Sequence, residues 1–230
     1  MIIIKILKKI YFFFIIIIRK LKIINFFDNY KYFKNSHFRS LFFLHDFDEM
    51  LKKDYIWINY KSQKLLSCLI NKKFDILEYG SGASTFWFSK RVKKIYTIEH
   101  NFEWFKKIDK KKRKNIKPYF VKSTKKENSK YKSRVLKNFC FKNYVYFPKK
   151  INKKFDLIFI DGRCRDQCIY FAYKFLAKNK SIIVLDNSSR YRYQLAIKWL
   201  AEKSYKVINL NDYVPTLPYK EQTTFFYINR

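Results

Sequence analysis

The chain has 230 residues, of which 48% are hydrophobic and 21% aromatic, with 51 Lys and Arg against 18 Asp and Glu. That aromatic content excludes intrinsic disorder, and only three Gly and four Pro exclude collagen-like and linker-like proteins. The net charge of +33 suits nucleic acid or an anionic membrane as a partner. A strongly AT-biased genome would also enrich Lys, Ile, Asn, Phe and Tyr. We favour that explanation and expect no specific nucleic-acid partner.

The amino-terminal region is predicted to be an extension, 1–54, in front of a domain at 55–230. Nine apolar residues, 10–18, lie between lysines and arginines. They are too few to span a bilayer, which needs about 20 residues, and no cleavage site for export follows them. We expect a cytoplasmic protein in which residues 1–22 contact the inner face of a membrane, with packing on the domain as the equal alternative. Residues 28–53 are interpreted as an irregular lead-in.

From residue 55 onward, short apolar runs alternate with helical periodicity. The predicted helices are 55–70, 86–91, 102–114, 167–177 and 191–203. The predicted strands are 74–77, 94–98, 116–121, 155–160, 181–185, 205–210 and 223–228. Continuous apolar strands that alternate with helices indicate a doubly wound α/β sheet. No helix separates the last two strands, so they are expected to pair antiparallel in a seven-stranded, mostly parallel sheet.

One long connection interrupts this alternation. Residues 122–154 contain twelve Lys or Arg and one acidic residue, Glu127. A helix is predicted around 131–139, because a structureless connection of this length is uncommon.

A glycine-rich turn follows the first predicted strand and precedes a helix, in the sequence Glu78-Tyr-Gly80-Ser-Gly82-Ala-Ser-Thr85. The glycines permit a tight turn and the close approach of a ligand to the backbone. Thr85 stands where a dinucleotide fingerprint has its third glycine, which disfavours a nicotinamide-dependent oxidoreductase. Glu99 ends the second strand, where a carboxylate can accept hydrogen bonds from ribose hydroxyls. The pattern therefore predicts a nucleoside site.

These motifs resemble the first motifs of class I S-adenosylmethionine-dependent methyltransferases. The runs 155–163 and 182–188 are similar to the fourth- and fifth-strand motifs of the same family. The resemblance covers about residues 55–230 and implies a Rossmann-like fold with an antiparallel last strand. Residues 1–54 have no counterpart in it, and no adenine-binding residue is evident at 122–124. The cofactor-binding residues that it implies are Glu78, Gly80, Ser81, Gly82, Ser84, Thr85, Glu99, His100 and Asp161.

Polar residues that follow two later strands are candidates for the chemistry. Asp161 and Asp186 are predicted to be catalytic, since both fall at the carboxyl edge of the sheet, where ligands bind in open α/β folds. In the catechol O-methyltransferase-like group, an Asp, Asp and Asn set at matching places binds magnesium. Asp161, Asp186 and Asn187 are therefore candidate Mg²⁺ ligands. The alternative is that Asp186 and Asn187 cap a helix and that Asp161 orients a loop.

The resemblance implies a methyltransferase, and we expect it to methylate a small-molecule or glycan-like acceptor at oxygen. A first alternative is an RNA methyltransferase that uses the basic segment 122–154. A second alternative is a non-catalytic, membrane-associated binding module. Base-methylation motifs of the Asn/Asp-Pro-Pro-aromatic and Pro-Cys types do not occur in the sequence.

Overall fold

The computed structural model describes residues 30–125, 129–133 and 136–229. The predicted membrane contact at 1–22 lies outside these residues and stays a prediction. No helix within the described ranges is long and apolar enough to cross a membrane. The strands there are β1 (Asp75–Tyr79), β2 (Lys94–Glu99), β3 (Ile116–Phe120), β4 (Thr124–Lys125), β5 (Phe139–Cys140), β6 (Phe155–Ile160), β7 (Ala177–Asp186), β8 (Lys206–Tyr213) and β9 (Lys220–Asn229).

The predicted α/β fold is confirmed by a seven-stranded sheet with the order β3-β2-β1-β6-β7-β9-β8. Its first five strands are parallel to one another. β9 runs antiparallel to both of its neighbours, β7 and β8. The last strand, β9, is therefore the antiparallel one. It lies between β7 and β8, which precede it in the sequence, and does not form the edge of the sheet. β4 and β5 make a separate two-stranded ribbon inside the long basic connection.

Helices cover the sheet. They are α1 (Tyr30–Phe33), α2 (Arg39–Phe43), α3 (Phe47–Lys53), α4 (Tyr60–Leu69), α5 (Ala83–Ser89), α6 (Phe102–Lys110), α7 (Lys142–Tyr146), α8 (Arg165–Phe171) and α9 (Gln194–Ala201). A π-helical turn, Lys34–Phe38, joins α1 to α2, and another, Ala172–Leu176, extends α8. Two 3₁₀ turns, Phe147–Ile151 and Tyr191–Tyr193, precede β6 and α9.

The hydrophobic core has two parts, one on each face of the sheet. All five residues of β1 are buried. Its side chains alternate, so that Leu77 and Tyr79 join one cluster and Ile76 joins the other. Burial on both faces explains why this strand is apolar except for Asp75 at its start and Glu78.

The expectation of an irregular lead-in at 28–53 is wrong for the described part of that segment, which is mostly helical. Asp46 caps α3 by accepting a hydrogen bond from the Glu49 amide at 2.9 Å. Phe47 and Met50 of α3 are buried in the same cluster as Ile56. Part of the predicted extension therefore packs against the sheet and contributes to its core.

Two predicted helices differ in the structure. The helix predicted at 55–70 begins at Tyr60, because the Asn59 side chain caps it by accepting from the Ser62 amide at 2.9 Å. The helix predicted at 131–139 does not form in the described residues of that segment. Residues 130–133 alternate between exposed and buried, which is an extended pattern, and the amide of Phe141 donates to the Tyr131 carbonyl at 2.7 Å.

Candidate active site

The candidate site lies at the carboxyl edge of the parallel strands. Gly80 follows β1, Glu99 ends β2, Asp161 follows β6 and Asp186 ends β7. β1 lies between β2 and β6, so the direction in which successive strands are added reverses beside it. Ligands of open α/β sheets bind in the crevice at such a switch point.

Two glycines bring the loops after β1 and β6 into direct backbone contact. Gly80 has φ +93°, and a Cβ there would lie 2.7 Å from the Gly162 Cα. A Cβ on Gly162 would collide with the Tyr144 hydroxyl and lie 2.9 Å from the Tyr79 carbonyl oxygen. Gly162 does not have a positive φ. Close packing, and not a special backbone conformation, explains this glycine.

Glu78 is fully buried beneath the glycine turn. Its carboxylate accepts hydrogen bonds from the hydroxyls of Ser84, Thr85 (2.5 Å) and Thr97 (2.6 Å). Burial raises the pKa of Glu78 to about 7, although the three hydroxyl hydrogen bonds oppose that shift. Thr85 also accepts from the Gly82 amide at 3.0 Å, so this carboxylate fixes the turn to the start of α5.

Glu99 is buried and held by hydrogen bonds to both of its oxygens. One oxygen accepts from the backbone amides of His100 and Asn101, both at 2.8 Å. The other accepts from the amide and hydroxyl of Ser81, at 3.1 and 3.2 Å. Burial alone would raise the pKa of Glu99, but the hydrogen bonds from the His100 side chain and from the backbone amides of His100 and Asn101 hold it below its usual value. Glu99 is therefore an ionised acceptor in a fixed orientation.

The His100 imidazole connects this carboxylate to a cation. Its Nδ1 lies 2.8 Å from a Glu99 oxygen, and its Nε2 lies 3.4 Å from the Nε of Arg163. We assign the proton to Nδ1, because Nε2 faces a guanidinium donor. The ring packs edge-on against Phe141 and Tyr144. This packing fixes its orientation at the edge of the site.

These residues surround a cavity of about 560 Å³. Among the residues predicted to bind the cofactor, those that line it are Gly80, Ser81, Gly82, Ser84, Glu99, His100 and Asp161. Glu78 and Thr85 do not line the cavity, since their side chains bond to each other below the turn. The structure therefore brings most of the predicted set together and places two members in a supporting position.

Several lining residues were not predicted from the sequence. His45 and Trp57 come from the segment before β1, and Trp104 comes from α6. The indole of Trp104 donates to the Ser81 carbonyl at 2.5 Å, which fixes the ring against the glycine turn. Local sequence gives no signal for His45 or Trp57. For Trp104, the position shortly after Glu99 in the first turn of a helix was an available signal.

Asp161 and Asp186 share one buried cation, Arg165. The Arg165 Nη2 lies 2.7 Å from an Asp161 carboxylate oxygen, and its Nη1 lies 3.7 Å from a carboxylate oxygen of Asp186. The guanidinium also donates to the carbonyl oxygens of Gly162, Asp186 and Asp161 at 3.0, 2.6 and 2.8 Å. Burial raises the pKa of Asp161, while the Arg165 charge opposes the shift. Burial and then the Asp161 charge raise the pKa of Asp186.

This arrangement does not support the predicted Mg²⁺ site at Asp161, Asp186 and Asn187. The described ranges contain no group of three or more His, Cys, Asp or Glu placed to hold a metal ion. Arg165 already supplies the positive charge between the two aspartates. Asn187 has a left-handed backbone, with φ 49°, in the turn after β7.

Comparison with solved structures identifies the fold. A methyltransferase-like protein from Silicibacter pomeroyi superposes with a TM-score of 0.54 and 14% identity, over 76% of this chain and 89% of that one. A proposed O-methyltransferase from Klebsiella pneumoniae superposes with a TM-score of 0.50 and 15% identity, over 80% of this chain and 90% of that one. A proposed methyltransferase from Streptococcus mutans, in complex with SAH, superposes with a TM-score of 0.50 and 10% identity, over 73% of this chain and 96% of that one.

The fold is that of the class I methyltransferases. No protein-family model matches the chain, and no curated protein is similar to it in sequence. The methyltransferase fold is therefore recognised through the path of the chain. The glycine turn after β1 and the acidic end of β2 occupy the switch point of this fold.

Proposed function

We propose that the chain is an S-adenosylmethionine-dependent methyltransferase that acts on an oxygen atom of a small-molecule or glycan-like acceptor. The observation that carries the proposal is the ionised Glu99, which is fixed at the end of β2, bonded to Ser81 of the glycine turn, and lines the cavity together with that turn. A cavity of about 560 Å³ lies within the usual range for small-molecule sites, roughly 300–1,000 Å³. The similarity to methyltransferase structures supports the same assignment at the level of the fold.

The residues present fit this cofactor. Ribose hydroxyls are donors, and Glu99 offers two carboxylate oxygens. Its bonds to backbone amides are fixed by the turn, whereas the Ser81 hydroxyl can rotate away and release one acceptor site. A Cβ built on Gly82 would make only an ordinary van der Waals contact, at 3.7 Å from Ser84 Oγ. A ligand can therefore approach that backbone closely.

The cofactor supplies a methyl group that its sulfonium sulfur has already activated, so the protein mainly has to align the acceptor. We assign Asp161 the role of orienting the acceptor hydroxyl and accepting its proton. The Asp161 side chain is 28% exposed and lines the cavity, so an acceptor can reach it. Burial raises the pKa of this carboxyl, which makes it a better proton acceptor, and Arg165 fixes its position.

The test combines binding with methyl transfer. Labelled S-adenosylmethionine and a metabolite mixture should give a labelled product with the native protein and none with Asp161→Asn. The variant should bind S-adenosylhomocysteine within about tenfold of the native affinity, or ~1.4 kcal/mol. Full activity of the variant would refute the role of Asp161. Tight binding of a nicotinamide dinucleotide without any binding of S-adenosylhomocysteine would refute the proposed function.

The same assay addresses the alternatives. Methylation of RNA remains the second candidate. Lys130, Lys132 and Lys137 of the basic segment line a second cavity, which adjoins the first. Label in RNA would favour it, and cofactor binding without transfer to any acceptor would favour a binding module. We expect a chelator to leave turnover unchanged, since the Arg165 guanidinium already contacts Asp161 and lies near Asp186, at the predicted metal position.

A further inference from the structure

A second cavity, of about 630 Å³, adjoins the candidate cofactor cavity. The two share Gly162, Arg163 and Arg165 in their linings. A molecule in the second cavity would therefore lie next to Asp161, to which the proposed function assigns the acceptor. The chemistry of this cavity should then match that of the acceptor.

The second cavity is far more basic than the chain as a whole. Seven of its thirteen lining residues are Lys or Arg and one, Asp166, is acidic, whereas 51 of 230 residues in the chain are basic. General enrichment in lysine thus does not explain the cavity by itself. Its lysines come from the long connection between β3 and β6, and its arginines come from the segments after β6 and β7.

Most of these cations have no carboxylate partner. Arg165 pairs with the two aspartates, and Arg190 lies 3.4 Å from Glu221. Within the part of the chain that the structure describes, five others have no carboxylate oxygen within 4 Å: Lys130, Lys132, Lys137, Arg163 and Arg192. Like charges collected around one cavity repel each other, and an anion bound there would relieve that repulsion.

We propose that this cavity binds the methyl acceptor through a phosphate or diphosphate group carried by a small molecule. This inference rests on the proposed methyltransferase function. Five cations that have no carboxylate partner among the described residues match a group with two or three negative charges better than a single carboxylate. Arginine can contact two phosphate oxygens at once, and lysine adds a mobile charge. The cavity volume suits one small molecule, so the acceptor is assigned to that class and not to RNA.

The arrangement also places the acceptor hydroxyl. Arg163 lines both cavities, and its Nε lies 3.4 Å from His100. A phosphate held by the lysines and Arg192 would leave the rest of the acceptor at this boundary, toward Asp161. The phosphate site would therefore supply binding and orientation, whereas the reacting oxygen would lie in the cofactor cavity.

The experiment is calorimetry at physiological salt with the full chain. Pyrophosphate and uridine diphosphate are the probes, and S-adenosylhomocysteine is titrated separately. The test variant is Lys130→Gln/Lys137→Gln. The control, Lys61→Gln/Lys64→Gln, removes the same charge from exposed positions on α4 that line neither cavity.

We expect the test variant to bind both phosphate probes at least about tenfold more weakly, because two charge-assisted contacts are lost. The affinity of the control variant for the probes should stay within about twofold of the native value, since salt screens the interaction of an anion with distant, exposed charges. Both variants should keep native binding of S-adenosylhomocysteine. Equal losses in the two variants would overturn the inference by showing nonspecific attraction.

Other outcomes separate this inference from the function on which it rests. Binding of S-adenosylhomocysteine without any binding of the phosphate probes overturns the inference alone. Binding of the phosphate probes without S-adenosylhomocysteine overturns the methyltransferase function and, with it, the acceptor role. An RNA oligonucleotide that displaces pyrophosphate and binds more tightly at the same salt concentration overturns the assignment to a small molecule.

Discussion

At the scale of single residues, the three glycines of the chain serve different purposes. Gly80 needs its positive φ and also touches the backbone of Gly162. Position 162 requires a glycine because the Tyr144 hydroxyl and the Tyr79 carbonyl oxygen leave no room for a side chain. Gly82 has an extended backbone, and a Cβ there would make only an ordinary contact with Ser84 Oγ. A substitution at Gly82 should therefore weaken ligand binding, whereas a substitution at Gly80 should lower the stability of the fold.

This difference gives a matched pair of variants. Gly80→Ala should lose stability through a strained backbone, at about 1–3 kcal/mol, and through the clash with Gly162. Gly82→Ala should unfold at nearly the native temperature but bind S-adenosylhomocysteine at least about tenfold more weakly, because the added methyl group enters the cavity. Thermal unfolding and calorimetry measure the two effects. Native binding by Gly82→Ala would contradict the position of the cofactor.

Glu78 makes folding stability depend on pH. Its pKa rises from 4.5 to about 7 in the folded chain, so the folded state keeps a proton that the unfolded state has lost. This contribution to stability is fully present below pH 4.5 and is lost as the pH rises to about 7. The loss amounts to roughly 3 kcal/mol for a shift of this size.

Glu78→Gln removes this titration but keeps a polar group for the hydroxyls of Ser84, Thr85 and Thr97. The free energy of unfolding, measured with urea, should therefore fall more for the native chain than for the variant when the pH is raised from 5 to 8. Parallel curves for the two proteins would show that Glu78 is ionised in the folded state throughout this range.

At the scale of elements, Arg165 connects α8 to the ends of β6 and β7. It is only 7% exposed, and its donors bond to the carbonyl oxygens of Asp161, Gly162 and Asp186. The loops after both strands are therefore held by one side chain at the base of the candidate site. The Arg165 charge also opposes the rise that burial causes in the pKa of both aspartates.

Arg165→Gln should cost about 3–5 kcal/mol of folding stability, because it leaves two carboxylates without their cation. Arg165→Lys should lose less, since it keeps the charge but not the planar fork. Urea unfolding measures both. Adding Asp186→Asn to Arg165→Gln should recover part of the loss. Independent, additive losses would mean that the pair does not interact.

At the scale of the whole molecule, the charge of +33 spreads far beyond the two cavities. Binding to arbitrary DNA or RNA should therefore be weak, independent of sequence and steeply reduced by salt, because it depends on counterion release. Filter binding over a salt series with unrelated oligonucleotides tests this expectation. A single RNA that is retained tightly at physiological salt would refute it and favour the RNA methyltransferase alternative.

Local patterns in the sequence predicted much of the fold. The buried strands are continuous apolar runs, and the strand at 155–160 has the same bounds in prediction and structure. Glu99 and the glycine turn could be placed at one sheet edge because parallel strands end together. The capping sequence that begins at Asp46 was also available, although the lead-in was expected to be irregular.

The sequence by itself determined the alternation of helices and strands outside residues 28–54 and 122–154, the glycine turn and the acidic end of β2, because these depend on periodicity and on neighbouring residues. Only the tertiary structure decided what the polar groups contact. Thr97 reaches Glu78, Gly162 meets Gly80, and Arg165 joins Asp161 to Asp186. His45 and Trp57 enter the cavity in the same way. Glu78 and Thr97 are 19 residues apart along the chain, and Gly80 and Gly162 are 82 apart. Arg165 is four residues from Asp161 but 21 residues from Asp186. Burial between the sheet and its loops, which no local pattern encodes, brings the distant partners together.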